Sequence, residues 1–275
     1  MGPKNSRVVS LSGNPAHRGK RPSLRPMDVA NAPEGINVPQ GLSAAVTDAI
    51  LDRPRSQIDV LEAGCGSASH LDFGPTARIT GVDISPSQLE RNKSLDVSII
   101  GDLQSHPLPN EAFDVVVCWN VLEHLPRPRE ALDNMLQALR TKGVLVLAVP
   151  NARSIKGWVT RLTPHAFHVW VYRRVFGIAS AGSDDHGPFP TYFSAPISPE
   201  GLRNYAREEG VDILFWAVHE DYGQQLIRQR LRLDGGRWRN GATLVRWLTR
   251  GRVQPEDTDI FIVLRKRASH QVASS

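Results

Sequence analysis

The chain has 275 residues, 40% of them hydrophobic and 22% charged, with a formal net charge of +5. These values suit a globular protein of one large domain with insertions. Two cysteines exclude a disulfide framework, no apolar run nears the ~20 residues of a membrane helix, and the basic N-terminus lacks the apolar core of a signal peptide, so a cytoplasmic location is expected.

Residues 1–27 are rich in Pro, Gly, Ser, Arg and Lys without apolar periodicity and read as a disordered basic tail. Residues 39–51 predict a helix, with Leu42, Ala45, Val46 and Ile50 on one face. A first strand covers 57–62. Only twelve residues separate Gly66 from Ile79, Gly74 and Pro75 among them, so one or two helical turns are expected near 68–73. A second strand covers 79–83. Ser85 then caps a helix that has Pro86 at its first position. Strand three covers 97–101. Phe113–Trp119 is a continuous apolar run, the mark of a central strand buried on both faces. Residues 127–139 form an amphipathic helix stopped by Lys142-Gly143, and 144–149 a fifth strand. A helix at 198–209 and strands at 211–218 and 259–264 complete the pattern. Alternating strands and helices predict a doubly wound, mostly parallel α/β sheet. Two segments interrupt it, 152–197 and the Arg-rich 223–257.

The chemistry concentrates in Val60-Leu61-Glu62-Ala63-Gly64-Cys65-Gly66-Ser67 and Ile79-Thr80-Gly81-Val82-Asp83-Ile84-Ser85. The order is strand, glycine turn, strand, acid. The glycines let the backbone turn sharply and approach a ligand closely. The carboxylate ending the second strand can accept from two ribose hydroxyls. A dinucleotide fingerprint needs a third glycine where this chain has Ser69, and it leaves Asp102 and the Glu123-His124 pair unexplained.

With Gly101-Asp102-Leu103 and the run from Phe113 through Trp119-Asn120-Val121-Leu122-Glu123-His124-Leu125, the pattern resembles class I S-adenosylmethionine-dependent methyltransferases, in particular a small-molecule group with Glu-His-Leu after strand four. The resemblance is close over 57–150 and holds in outline over 198–265. It implies a Rossmann-like methyltransferase fold of seven strands spanning 28–275, with 152–197 as a substrate lid, and S-adenosylmethionine as cofactor. It assigns Gly64 and Gly66 to the cofactor's methionine part and Glu62 to its amino group. Asp83 falls to the ribose, Ile84 to the adenine face, Asp102 to the adenine amino group with Leu103 beside it, and Trp119 and Asn120 to the wall of the methionine pocket. Ala68 stands where the family often has a third glycine, so an atypical loop is expected.

An acceptor hydroxyl benefits from a general base with a pKa near neutral, which makes His124 a candidate. His165 and His168 are further base candidates within the lid, which also holds 8 of the chain's 18 aromatic residues. These two histidines with Asp184-Asp185-His186 have metal-binding residue types but no fixed ligand spacing, and no metal is expected. A small-molecule, glycan or glycolipid-type acceptor and O-methylation are the leading expectation. A tRNA or rRNA methyltransferase and a catalytically inactive binding module are the alternatives. Nucleic acid is disfavoured because residues 27–225 carry a net charge of −8, the basic residues lying toward the two ends. There is no Asn/Asp-Pro-Pro-Tyr/Phe motif after strand four, and Cys118 lacks the neighbouring Pro of a cytosine-C5 nucleophile. Residues 226–252 hold eight Arg and one acid among Leu, Ile, Val and Trp. They suit peripheral contact with anionic lipid, or a helical cap packed on the sheet.

Overall fold

The computed structural model describes residues 8–10, 25–26, 41–51, 56–174, 177, 179, 181–182, 187–233 and 235–268. Pro39 and Gln40 of the first expected helix, Phe176, Asp184-Asp185-His186 and most of the N-terminal tail fall outside them. Within the tail, two short strands are described, β1 (Val8–Ser10) and β2 (Arg25–Pro26).

The chain continues through α1 (Leu42–Leu51), β3 (Ile58–Ala63), β4 (Leu71–Asp72), β5 (Ala77–Asp83), α2 (Pro86–Arg91), β6 (Val97–Ile100) and β7 (Phe113–Trp119). It then forms α3 (Pro128–Ala138), β8 (Leu139–Pro150), α4 (Ile155–Leu162), α5 (His165–Arg174), α6 (Pro199–Glu208), β9 (Asp212–His219), α7 (Tyr222–Arg230), α8 (Gly236–Leu248) and β10 (Asp259–Arg265). Eight strands form one sheet in the order β1-β6-β5-β3-β7-β8-β10-β9. Seven of them are the expected strands; β1 adds an antiparallel edge to β6. β6, β5, β3, β7 and β8 run parallel, while β10 returns antiparallel between β8 and β9.

All residues of β7 are buried, and the pleat sorts its apolar run between two cores. Val115, Val117 and Trp119 join Val60, Leu42 and Val46 on the α1 face. Val116 and Cys118 join Leu61, Leu132, Met135 and Leu202 on the face covered by α3 and α6. The sheet is thus covered on both sides, as parallel sheets require.

The sequence and structure part at two places. The helical turns expected near 68–73 do not form. Leu71 and Phe73 are buried and Asp72 exposed, a period of two rather than 3.6, and β4 pairs with β2. The α1 face is therefore sealed by a short extended segment, and the glycine loop leads into no helix. The second difference follows α3, which ends at Ala138; strand β8 starts directly at Leu139, so Lys142-Gly143 lies inside a strand. Lys142 has φ 63°, and the β7–β8 register shifts between Phe113 and Val115. The pair that reads as a helix stop is a kink that realigns β8. Among the described residues, no helix is long and apolar enough to cross a membrane.

Candidate functional site

Successive strands are laid to one side from β3 through β5 to β6, and to the other from β7 to β8. The crevice in such a sheet opens beyond the carboxyl ends of the strands flanking the reversal, here β3 and β7. Glu62, Asp83 and Asp102 stand at or just past the ends of the neighbouring strands β3, β5 and β6.

Glu62 is only 3% exposed. Its Oε2 accepts from Ser69 Oγ at 2.6 Å, while its buried Oε1 has no partner among the described residues. Burial pushes its carboxyl up to about 7, opposed by the Ser69 hydrogen bond. The side chain that breaks the dinucleotide fingerprint is thus the one that orients Glu62. This acid also costs stability. Its folded pKa lies above its unfolded one, so the penalty is absent below pH 4.5, grows between pH 4.5 and 7, and reaches roughly 3 kcal/mol above that range. Glu62→Gln is expected to raise the thermal midpoint of the cofactor-free protein by about 5 °C at pH 8 and hardly at all at pH 4. Differential scanning fluorimetry at the two pH values checks this.

Gly64 has φ 71°, and a Cβ there would sit 2.5 Å from Val121 Cγ2, so neither its backbone nor its space admits a side chain. Asp83 fastens the loop. Its Oδ2 accepts from Gly66 N–H and its Oδ1 from Ser85 N–H, both at 2.9 Å. Ser85 in turn caps α2 by accepting from Gln88 N–H. Two of the roughly four acceptor positions of the Asp83 carboxylate remain for a ligand. Ile84 beside it is 72% exposed, an apolar surface open to a flat ring. Asp102 accepts from both the main-chain and side-chain N–H groups of Gln104. Gln104 escaped the sequence reading, and its Oε1 accepts from Arg127 N–H.

Two expected cofactor residues present less than the resemblance implied. Leu103 buries its side chain in the α3 face core, so only its main chain can meet a ligand. Trp119 is buried in the other core, stacked on His70 at 5.1 Å and edge-on to Phe261. Its ring meets these two rather than open space. Burial holds His70 neutral, its pKa pushed down to about 4. Asn120, exposed at the end of β7 with φ 53°, is anchored by its N–H to Ala148 O. Cys65 and Cys118 are buried, and burial pushes both thiols up, which leaves them protonated.

Beyond β7 a single 3-10 turn, Leu122–His124, carries Glu123 and His124. The insertion folds onto it. His124 Nδ1 lies 2.7 Å from Pro190 O, Phe189 packs edge-on against the imidazole, and Tyr192 N–H donates to Glu123 O. Burial lowers the His124 pKa, partly offset by the Pro190 hydrogen bond. Nε2 is 3.8 Å from Glu123 Oε1, too far for a hydrogen bond. Glu123 is itself buried, its Oε2 without a partner among the described residues, and its carboxyl is pushed up to about 8, chiefly by burial, with Asp259 adding and Lys156 opposing.

His165 and His168 sit elsewhere on the insertion. His165 is exposed, and His168 Nε2 pairs with Thr163 Oγ1 at 2.9 Å. No hydrogen bond or ring contact among the described residues joins either to His124. No cluster of three or more metal-binding side chains occurs among the described residues.

The sequence reading also missed a polar group opposite Glu123. Lys156 of α4 pairs with Asp221 at 3.0 Å, and Asp259 at the start of β10 is pushed up to about 6 by burial. His219, facing Asp259 in register, has a buried Nε2 without a partner among the described residues. These residues come from the first insertion, from the end of β9 and the turn after it, and from the antiparallel return, so no local spacing announces them.

The arrangement suits a nucleoside with an amino-acid tail. A buried carboxylate with one oxygen unpartnered among the described residues can receive a cation, a half-used carboxylate can receive hydroxyls, and an exposed apolar side chain stands beside it. Comparison with known proteins agrees. The family model described as "Methyltransferase domain" matches residues 37–225. The mitochondrial ubiquinone biosynthesis O-methyltransferase of Schizosaccharomyces pombe is 36% identical over 103 residues, covering 32% of this chain and 36% of that protein. A probable S-adenosylmethionine-dependent methyltransferase of Mycolicibacterium smegmatis is 33% identical over 99 residues, covering 34% and 38%. The ubiquinone biosynthesis O-methyltransferase of Coxiella burnetii is 25% identical over 164 residues, covering 56% and 64%. The chain covers less than two thirds of each of these relatives. Among solved structures, a putative methyltransferase from Bacillus halodurans aligns with 84% of this chain and all of its own at 14% identity, with a TM-score of 0.47. With its family model spanning more than half of the sequence, the chain belongs to the methyltransferase domain family, among the class I S-adenosylmethionine-dependent methyltransferases.

Proposed function

We propose that the protein methylates a hydroxyl of a small-molecule, glycan or glycolipid-type acceptor, with S-adenosylmethionine as donor. When bound, the cofactor supplies an electrophilic sulfonium methyl. Glu62 receives its ammonium group, Asp83 its ribose hydroxyls, Ile84 one face of its adenine and Asp102 its adenine amino group. The polar group of Glu123, Lys156 and Asp259 lines the acceptor side, and His124 takes the acceptor's proton.

The observation that carries this reading is the 2.7 Å contact of His124 Nδ1 with Pro190 O. A carbonyl oxygen only accepts, so Nδ1 bears the hydrogen and Nε2 of the neutral ring keeps its lone pair. Burial favours that neutral ring. The imidazole is thus held in the tautomer a base requires, by the segment that covers it. The S. pombe and C. burnetii relatives are both named as O-methyltransferases, which supports oxygen as the acceptor atom.

A panel of phenols, polyols and glycosides incubated with methyl-labelled cofactor tests the proposal. The label is expected in an O–CH3 group by NMR. Label found only on nitrogen or carbon, across a panel that includes amines, would reject it.

A further inference from the structure

Helix α8 carries its apolar residues on the wrong side for a helix that caps a sheet. Its buried residue is Ala242, while Trp238 and Val245 on the same side are partly covered. Leu244, Trp247 and Leu248, at i, i+3 and i+4, point the opposite way and are 54%, 73% and 65% exposed. Helix α4 repeats the pattern. Gly157 packs inward, and the stripe Ile155, Trp158, Val159, Leu162 is exposed, Leu162 by 74%. Its neighbour α5 buries none of its side chains and stacks Phe167 on Trp170 near the surface.

The two insertions share a root. Lys156 of α4 pairs with Asp221 just before α7. The segment following α8 returns to the base of α4, where Gln254 N–H donates to Arg153 O and Asn151 Nδ2 to Gln254 Oε1. Both rise from the carboxyl edge of the sheet, where the acceptor must enter. Exposed apolar stripes on two helices rooted at one edge of the sheet mark an interaction site.

Charge selects the occupant. Residues 226–252 carry eight Arg and one acid. Arg237 lies two turns before Leu244 on the same face and Arg250 follows the stripe, while Arg246 turns toward the Ala242 side and pairs with Glu256 at 3.1 Å. A two-fold contact between copies would set this Arg-rich helix against itself. An anionic bilayer satisfies both features, accepting the Leu and Trp side chains at the headgroup boundary and the guanidinium groups at its phosphates.

We propose that the outward faces of α4 and α8 form one docking surface for an anionic lipid bilayer, which brings the mouth of the site to the membrane. The test uses the full chain with phosphatidylserine–phosphatidylcholine vesicles and with pure phosphatidylcholine vesicles, followed by sedimentation. Wild type is expected to pellet with the anionic vesicles, to be released by high salt, and to stay largely in solution with neutral ones. The pairs Trp247→Ser with Leu248→Ser and Trp158→Ser with Leu162→Ser should each weaken binding at least about tenfold. Because Trp247 and Leu248 are 73% and 65% exposed, the thermal midpoint of that pair should not move; Trp158 is 38% exposed, so its pair is expected to lose some stability while still folding, and cofactor affinity should stay at the wild-type level in both. Wild type left in solution with anionic vesicles would overturn the proposal, as would undiminished binding by both paired variants. A lipid-free dimer that the Trp247 pair turns into monomer would assign the surface to a second copy instead. None of these outcomes depends on the acceptor atom.

Discussion

Asp83→Ala is expected to weaken cofactor binding by at least roughly two to three orders of magnitude. On the assignment proposed above, two charge-assisted hydrogen bonds to ribose hydroxyls are lost, each worth about 1.5–3 kcal/mol. A second loss adds to the first. The same carboxylate accepts from Gly66 N–H and Ser85 N–H, so its removal unfastens the glycine loop from the start of α2. Asp83→Asn is no rescue, because turning its amide NH2 to either backbone donor sets donor against donor. The fold should survive. Val82 and the β3–β5 pairing are untouched, and the thermal transition should stay cooperative. Titration calorimetry with S-adenosylmethionine measures the affinity, and an unchanged value would sink the ribose assignment.

The parts of this fold legible in the sequence are those fixed by neighbours in the chain. Phe113–Trp119 is a buried central strand with the boundaries its composition implies, and Ser85 caps α2 through Gln88 N–H as the Ser-Pro pair suggests. What remained hidden depends on contacts distant in sequence. Residues 68–73 stay extended because Leu71 and Phe73 seal the α1 face. Ser69 looked like a missing glycine until its hydroxyl was placed on Glu62. Lys156, Asp221 and Asp259 meet only because β10 runs back between β8 and β9. The α8 stripe was readable, but spacing alone cannot say whether such a stripe faces the core or solvent. Leu244, Trp247 and Leu248 would have the same period either way.

A physical pattern links the two halves of the crevice. Glu62 at the end of β3 and Glu123 and Asp259 on the other side are all pushed up by burial. Surface acids do not behave so, and a core selected for stability alone would replace such groups with apolar ones. Perturbed acids gathered at the carboxyl ends of parallel strands mark a place where stability has yielded to binding and chemistry. The Ser69 hydrogen bond offsets part of the Glu62 penalty, whereas Oε1 has no partner among the described residues.

The His124→Gln variant separates catalysis from binding. Gln retains polarity and can still donate to Pro190 O, but it cannot take a proton. Loss of a general base typically lowers turnover by about 10²–10⁴-fold. The expected result is a fall in kcat of that size with cofactor affinity unchanged, since no cofactor contact is proposed for the imidazole. The pH profile supplies the second readout. Only the neutral ring can act as base, so wild-type turnover should fall as pH drops through the His124 pKa. Burial places that pKa below the ordinary 6.5, and the acid limb should therefore lie below pH 6.5. In the variant this limb should disappear. If the imidazole merely fills space between Phe189 and the 3-10 turn, Gln would leave kcat and the acid limb in place and raise KM alone. Steady-state kinetics across pH, with cofactor affinity measured in parallel, distinguishes a proton acceptor from a packing residue.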